Sequence, residues 1–583
     1  MSSAIGPFLK KNSALIVVGA TFIWSAVSIL NARHEATPAE GDIVLRIGHW
    51  QLEAGVREAL NAMAEKYHGL HPKVRIIQDA VPEVTYAQWM STQLMGGTAP
   101  DIIEIGGGSI PYNVMLGYYR RYFLPMTVAV NQPNPYNKGT KLEGVPWRST
   151  YKDVMRSVYL EELQEYMQIP LAQFGVRIFY NKDLLKRLTG RTEAPRDYRD
   201  FLEVCRQIRS QRDAKGKPYT PIAGSAYHMA MWESMMAEPL TYGAVRRADF
   251  NGDGSVGNDE LFVAFKTGRL DFNFPPFEAK FRMLRHLTEQ FQAGFTGLGR
   301  DEAIFLFAQQ RAVFMTTGTW DVGSLHEQAR GVFKVGIMDF PVPAADDPEF
   351  GAISEGPVYE RPTSSFAFSV TRSCKYPDVA VDFLRFLGSQ SGNEELNRIM
   401  GWIPAIKGTR VSPMLEPFNP HLEGIFGCMP MTLGGETLIK WQQLYSLFQV
   451  NQIGYLQMAS EFLPFYLERG VRELQEMGRN RRRGMVRDEQ LLAEVRAAAF
   501  EEKVPRQAQS RWIRYRQMLA IRLLNRDLDA AYLQKQLDAE PLANPGGFYE
   551  FSPAVVEKVR ARVNSKQLPV GSGQRGGSSD GGS

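Results

Sequence analysis

The chain has 583 residues, 44% hydrophobic and 11% aromatic, the balance of a globular protein; its length exceeds the roughly 250–300 residues that one core organises. A formal net charge of +4 demands no nucleic acid, and three cysteines (Cys205, Cys374, Cys428) are too few, and odd in number, for a disulfide-stapled scaffold. The basic excess is local: from Val471 onward 20 Lys and Arg face 14 Asp and Glu, so residues 1–470 sum to −2.

Lys10-Lys11 precede an apolar run from Ala14 to Leu30, the pattern of an export signal or a membrane anchor. The run is short for a spanning helix, which needs about 20 residues. A cleaved signal over residues 1–33 and a tether over residues 12–30 are both open; either places the remainder outside the cytoplasm. Residues 34–42 form a polar linker. Ile43 to Trp50 is the first expected strand. Val56, Leu60, Met63 and Tyr67 then recur at helical spacing. Val74 to Ile77 and Asp101 to Ile105 are the next strands. Alternation of this length indicates a parallel sheet, with ligands just beyond the strand C-termini. That edge comprises Trp50, Gln51 and the loop from Glu104 to Ser109. Gly106-Gly107-Gly108 lacks the continuation of a nucleotide-binding glycine motif and instead permits close approach to a solute.

Further on, residues 175–185 read as a strand entering a helix, and Pro195 to Leu202 opens another helix. Residues 308–315 read as a short helix entering a strand that ends at Thr317-Gly318-Thr319-Trp320. Phe333 to Met338 and Ser365 to Val370 are strands, Pro377 to Leu387 is a helix, and Met400 to Pro404 is a turn.

Residues 249–260 fit the calcium loop of an EF-hand at every defined position. Asp249, Asn251 and Asp253 supply oxygens at positions 1, 3 and 5, and Gly254 permits the turn. The Ser255 carbonyl serves position 7, and Glu260 offers a bidentate carboxylate at position 12. Residues 258–268 form a credible exiting helix, while Pro239 and Gly243 interrupt the entering one. A single structural Ca2+ loop is expected; the bland alternative is a metal-free turn. Beyond Gly478 the basic run Arg479 to Arg483 begins an extension. Residues 488–500 and 507–537 read as two helices, and the Gly/Ser-rich residues 571–583 as a disordered tail. An amphipathic hairpin packed on the body is the simplest account of the extension.

Several of these pieces, in this order, resemble the extracellular solute-binding proteins of bacterial ABC importers, the group that includes maltose-binding protein. They are the strand ending at Trp50, Gly96 to Ile103, Ile169-Pro170, Phe179 to Asp183, Gly318 to Trp320, Pro341 to Pro343, the Ser365 strand with its following helix, and Gly401 to Pro404. The resemblance covers about residues 43–478. It implies an α/β, two-lobed periplasmic-binding-protein-like fold with a hinge, here flanked by an N-terminal hydrophobic helix and the C-terminal helical extension of residues 479–570. Lobe 1 would comprise residues 43–170 and 364–428, and lobe 2 residues 171–363 and 429–478.

The resemblance further implies a sugar or oligosaccharide held between the lobes and delivered to a membrane permease by a monomer in the cell envelope. Sugar sites need flat aromatic faces and fixed polar groups. The positions the resemblance selects are Trp50, Gln51, Glu104, Gly107, Gln173, Trp232, Gly318, Trp320, Trp402 and Trp441, with Asp321 as a further polar candidate. Core packing is the commoner fate of any one tryptophan. No zinc-protease spacing of histidines and no Gly-x-Ser-x-Gly elbow occurs, so no catalytic residue is expected. The rival readings are an envelope-anchored sensory or scaffold protein of the same fold and an exported carbohydrate-active enzyme.

Overall fold

The computed structural model describes residues 42–501 apart from 54, 107–109, 111, 161–162, 164, 251–255, 361 and 426–432, together with scattered helical positions from 509 to 535. The expected N-terminal hydrophobic helix (1–33), Gly107, Cys428, the tail (571–583) and most of the second extension helix lie outside the described residues.

The strands in chain order are β1 (Ile43–His49), β2 (Val74–Ala80), β3 (Ile102–Ile105), β4 (Tyr159–Leu160), β5 (Glu165–Tyr166), β6 (Ile169–Gln173), β7 (Val176–Asn181), β8 (Thr220–Ala223), β9 (Ala312–Gly318), β10 (Val335–Met338), β11 (Ser364–Val370) and β12 (Ile403–Pro404). The chain divides into two compact units. Among the described residues, unit 1 comprises those up to Phe174, Val322–Ser324 and Pro362–Glu416, and unit 2 those from Gly175 to Asp321, from Leu325 to residue 360 and from Pro417 onward. By this division the chain crosses after Phe174, makes a short excursion at Val322–Ser324, returns at Pro362 and crosses again after Glu416.

Unit 1 carries a six-stranded sheet in the order β12-β6-β11-β3-β1-β2. β1 is parallel to β2 and β3, whereas β11 runs antiparallel to β3 and β6. The helix Val56–Leu70 turns Val56, Leu60, Met63 and Tyr67 to the core, as their spacing predicts. Unit 2 carries a four-stranded sheet in the order β10-β7-β9-β8. Here β8 is parallel to β9, and β7 is antiparallel to β9 and β10. Asn181 caps the helix Lys182–Thr189 through the Leu184 N–H, and Asp197 caps Tyr198–Ser210 through the Asp200 N–H. The expected helix–strand pair around residue 310 is a helix over Arg300–Ala308 followed by β9.

Three ends of unit 2 meet on one side chain. Arg177, with 1% of its side chain exposed, forms a bidentate pair with Glu360 (2.7 and 3.0 Å). It also donates to the carbonyls of Pro417 and Asn419, each at 2.8 Å, and lies 2.7 Å from Asp339. Two segments next to points where the chain leaves or re-enters unit 2, at Glu360 and at Pro417–Asn419, are thus bound to β7, which itself follows such a point.

The end of the chain departs from expectation. One helix spans Tyr455–Glu501 without a break at Gly478 or in the arginine run. Met458, Phe462, Tyr466 and Gly470 form its buried stripe, four residues apart. Gly470 is needed there, because a Cβ would strike the Phe262 ring.

Candidate functional site

The ends of β1 and β3 bring Trp50, Gln51 and Glu104 together. Gln51 Nε2 donates to Glu104 Oε1 at 2.6 Å, and the Trp50 N–H donates to Glu104 Oε2 at 3.2 Å. Glu104 has no exposed surface. Burial pushes its carboxyl well above the ordinary carboxylate range, against two donors that favour the charged form. Trp50 is half-buried and meets Tyr86 edge-on at 5.1 Å. Tyr86 donates to the Glu104 carbonyl at 2.9 Å. Gly106 has φ +154°, and a Cβ on it would lie 2.7 Å from the Trp50 ring. This glycine is what allows the indole to lie against the β3 end. Gln173 ends β6. It is 8% exposed, and its Nε2 has no hydrogen-bond partner. A buried amide donor left unpaired is uncommon and invites a water or ligand acceptor.

In unit 2, Gly318 ends β9 and the Trp320 ring lies directly over it, where a Cβ would collide. Asp321 fixes this turn: Thr317 Oγ1 donates to it at 2.5 Å and Arg300 Nη2 at 2.7 Å. Asp321 is therefore a bracket for Trp320. Trp441, half-buried on the helix Gly435–Gln449, lies parallel to Tyr445 with ring centroids 6.1 Å apart. Tyr445 donates to Glu233 at 2.5 Å, and Lys280 Nζ stands 3.3 Å from the same carboxylate. Glu233, Lys280 and Tyr445 escaped sequence reasoning. The i, i+4 spacing of Trp441 and Tyr445 was the available signal; the other two come from distant elements. Thr319, buried beside Trp320 with an unpaired hydroxyl, was also missed.

Two expected platforms are core residues. Trp232 has no exposed surface and packs on Phe201 at 5.2 Å and Phe340 at 5.4 Å. Trp402, 2% exposed, takes Phe174 and Phe366 edge-on at 5.0 and 5.2 Å. Neither offers a sugar a free face, because both indoles are buried.

Of the calcium-loop positions, Asn251, Asp253 and Ser255 lie outside the described residues. Glu260 is 5% exposed, and its two oxygens accept from the N–H groups of Phe250 and Gly257, each at 2.9 Å. The bond from the Gly257 N–H is that of a capping box at the start of the following helix. The exiting helix covers Asn258–Lys266. Among the described residues no three His, Cys, Asp or Glu side chains converge as metal ligands.

Residues 53–394 match the bacterial extracellular solute-binding protein family. An uncharacterized ABC transporter extracellular-binding protein of Pyrococcus horikoshii is 20% identical over 380 residues, 63% of this chain and 73% of that protein. The multiple sugar-binding protein of Streptococcus mutans is 19% identical over 410 residues, 69% of this chain and 84% of that protein. The structure of the bacterial solute receptor AcbH, described with an exclusive preference for β-D-galactopyranose, aligns with a TM-score of 0.50 at 14% identity, covering 74% of this chain and 100% of the other. At that identity the likeness concerns the fold.

Proposed function

The chain belongs to the bacterial extracellular solute-binding protein family, and from that premise we propose that it binds a carbohydrate outside the cytoplasm and delivers it to the membrane permease of an ABC importer. The family is one of binding proteins, and the sites described need only hold a solute. The observation that carries the reading is the grouping at the ends of the unit 1 strands: a half-buried indole, Trp50, beside the fixed polar pair Gln51–Glu104. An indole face suits the C–H surface of a pyranose, and fixed donors and acceptors suit its hydroxyls. The unpaired amide of Gln173 is a further donor in unit 1. In unit 2 the corresponding groups are Trp320 above Gly318, and Trp441. The sugar-binding name of the Streptococcus mutans relative supports carbohydrate over other solutes.

The test is a thermal-shift screen of mono- and oligosaccharides, followed by calorimetry on any hit. Trp320→Ala should lower affinity by ~2 kcal/mol, the scale of a buried aromatic anchor. No sugar binding, or unchanged affinity in the variant, would remove the carbohydrate assignment.

Two finer elements belong to the same proposal. Calcium would be a structural ion in the 249–260 loop, supported by the completeness of the motif. A tether over residues 12–30 would hold the protein at the membrane, supported by Lys10-Lys11 ahead of the apolar run.

A further inference from the structure

The long helix Tyr455–Glu501 has two unlike sides. On one side Met458, Phe462, Tyr466 and Gly470 are buried, and Leu474 and Met477 pack against the same unit 2 core. Each residue advances about 100° around a helix axis. Counted from Arg472, that buried side passes through Gly470, Leu474 and Met477 at about 140–200°. Arg472, Arg479, Arg483 and Arg487 occupy positions within about 80° of one another on the opposite side. Arg472 is exposed, and the Arg479 side chain is 56% exposed. Arg479 stands 3.7 Å from Glu476, itself 64% exposed, a pair that water screens. Between Met477 and Arg487 the chain carries five arginines and no Asp or Glu. The cationic charge is therefore gathered at this end, against a body that sums to −2. A separate feature at the other end also points to a membrane: Lys10-Lys11 ahead of the apolar run from Ala14 to Leu30.

We propose that the arginine stripe from Arg472 to Arg487 docks on the anionic surface of a lipid bilayer, with phosphodiester headgroups as the groups it contacts. The inference rests on the reading that places this protein outside the cytoplasm beside a membrane, and not on its sugar. An unbroken helix sets these positions along a line roughly 22 Å long, which suits a plane of phosphates better than a pocket. Each guanidinium can bind two phosphate oxygens in parallel, so arginine suits this partner better than lysine. Several such charges beside anionic lipid add their attractions. The buried side meanwhile fixes the start of the helix to unit 2, so the stripe carries the folded body with it. One apolar anchor together with a polybasic patch is the two-signal combination that makes attachment stable. With the apolar run cleaved, the stripe alone would give reversible attachment that salt weakens.

The experiment is co-sedimentation of the full chain with phosphatidylcholine vesicles, with and without phosphatidylglycerol, over a salt titration. The quantity read is the excess binding to the anionic vesicles, since insertion of the apolar run would contribute to both. A clear excess that falls steeply with salt is expected. Combining Arg479→Gln, Arg481→Gln, Arg482→Gln and Arg483→Gln should weaken that excess roughly 100-fold. Glutamine keeps the helix propensity of arginine, and circular dichroism melting checks the fold. A control of equal net charge combines Lys141→Gln, Lys186→Gln, Arg209→Gln and Lys215→Gln, all exposed positions of the body, and should keep the excess. Equal binding to both vesicle types, an excess indifferent to salt, or a folded arginine variant that binds like the wild type overturns the proposal. So does an equal loss in the control, which would make the effect one of net charge. Retention only on neutral vesicles that carry a permease would assign the stripe to a protein partner instead. Vesicle binding needs no solute, so a failed sugar screen leaves this result standing.

Discussion

Glu104 has no exposed surface and yet ends a strand beside two donors. Its folded-state affinity for a proton is raised by burial, so the folded protein holds that proton more tightly than the unfolded chain. The sign follows: the stability from this group is fully present below its ordinary value of 4.5 and is lost as pH rises through the elevated folded value. Urea unfolding across pH should therefore give a wild-type minus Glu104→Gln difference that declines from about pH 4.5 upward; a difference flat with pH would contradict it. Gly106 is a second residue-scale test. Alanine there meets both the Trp50 ring and an unfavourable φ, and should cost ~1–3 kcal/mol in thermal unfolding. At this scale the sequence was partly legible. Trp50, Gln51 and Glu104 were read from strand ends, which local pattern marks. Trp232 and Trp402 were misread, because a glycine or a loop beside an indole says nothing about which distant rings will cover it.

The elements were more legible than their ends. Period-two and period-3.6 patterns located β1, β3 and β11 and the helices after β1 and β11, since these follow from backbone geometry within a few residues. The long helix Tyr455–Glu501 was not foreseen: Gly478 and the arginine run looked like a boundary. A glycine weakens a helix interior by only about 1 kcal/mol relative to alanine, and tertiary packing of the preceding turns outweighs that. The packing hinges on Gly470 against Phe262. Gly470→Val should lower stability by ~1–3 kcal/mol by forcing the helix off its neighbour, seen by calorimetry as a lower melting temperature. The loop at 249–260 offers the other element-scale prediction. Calcium should raise the melting temperature, by the linkage expected of an ion that binds only the folded state. Asp253→Ala should abolish that rise. A melting temperature indifferent to calcium would leave the loop as a turn closed by Glu260 alone.

On the scale of the whole molecule, Arg177 joins segments far apart in sequence: β7, Glu360, and Pro417 with Asn419. Its guanidinium is the only charge that balances the mostly buried Glu360 among the ion pairs described for that carboxylate. Arg177→Met should destabilise the protein by ~3–5 kcal/mol, the scale for stranding a buried partner. Arg177→Lys should recover only part, because an ammonium cannot make the paired contacts of the fork. Unfolding followed by urea would separate the two. No such knot can be read from the chain, since its partners lie 183 and 240 residues from Arg177. By itself, the sequence determined the α/β class, the solute-binding family resemblance and the order of strands and helices, together with the strand end where Trp50, Gln51 and Glu104 meet. These depend on local periodicity and on turns that only certain residues permit. Tertiary structure alone decided which indoles remain half-open and which become core, where the chain passes from one unit to the other, and that Tyr67, His71, Tyr136 and Asp382 meet. Burial and side-chain convergence are properties of neighbours brought together by folding, and no single stretch of chain carries them.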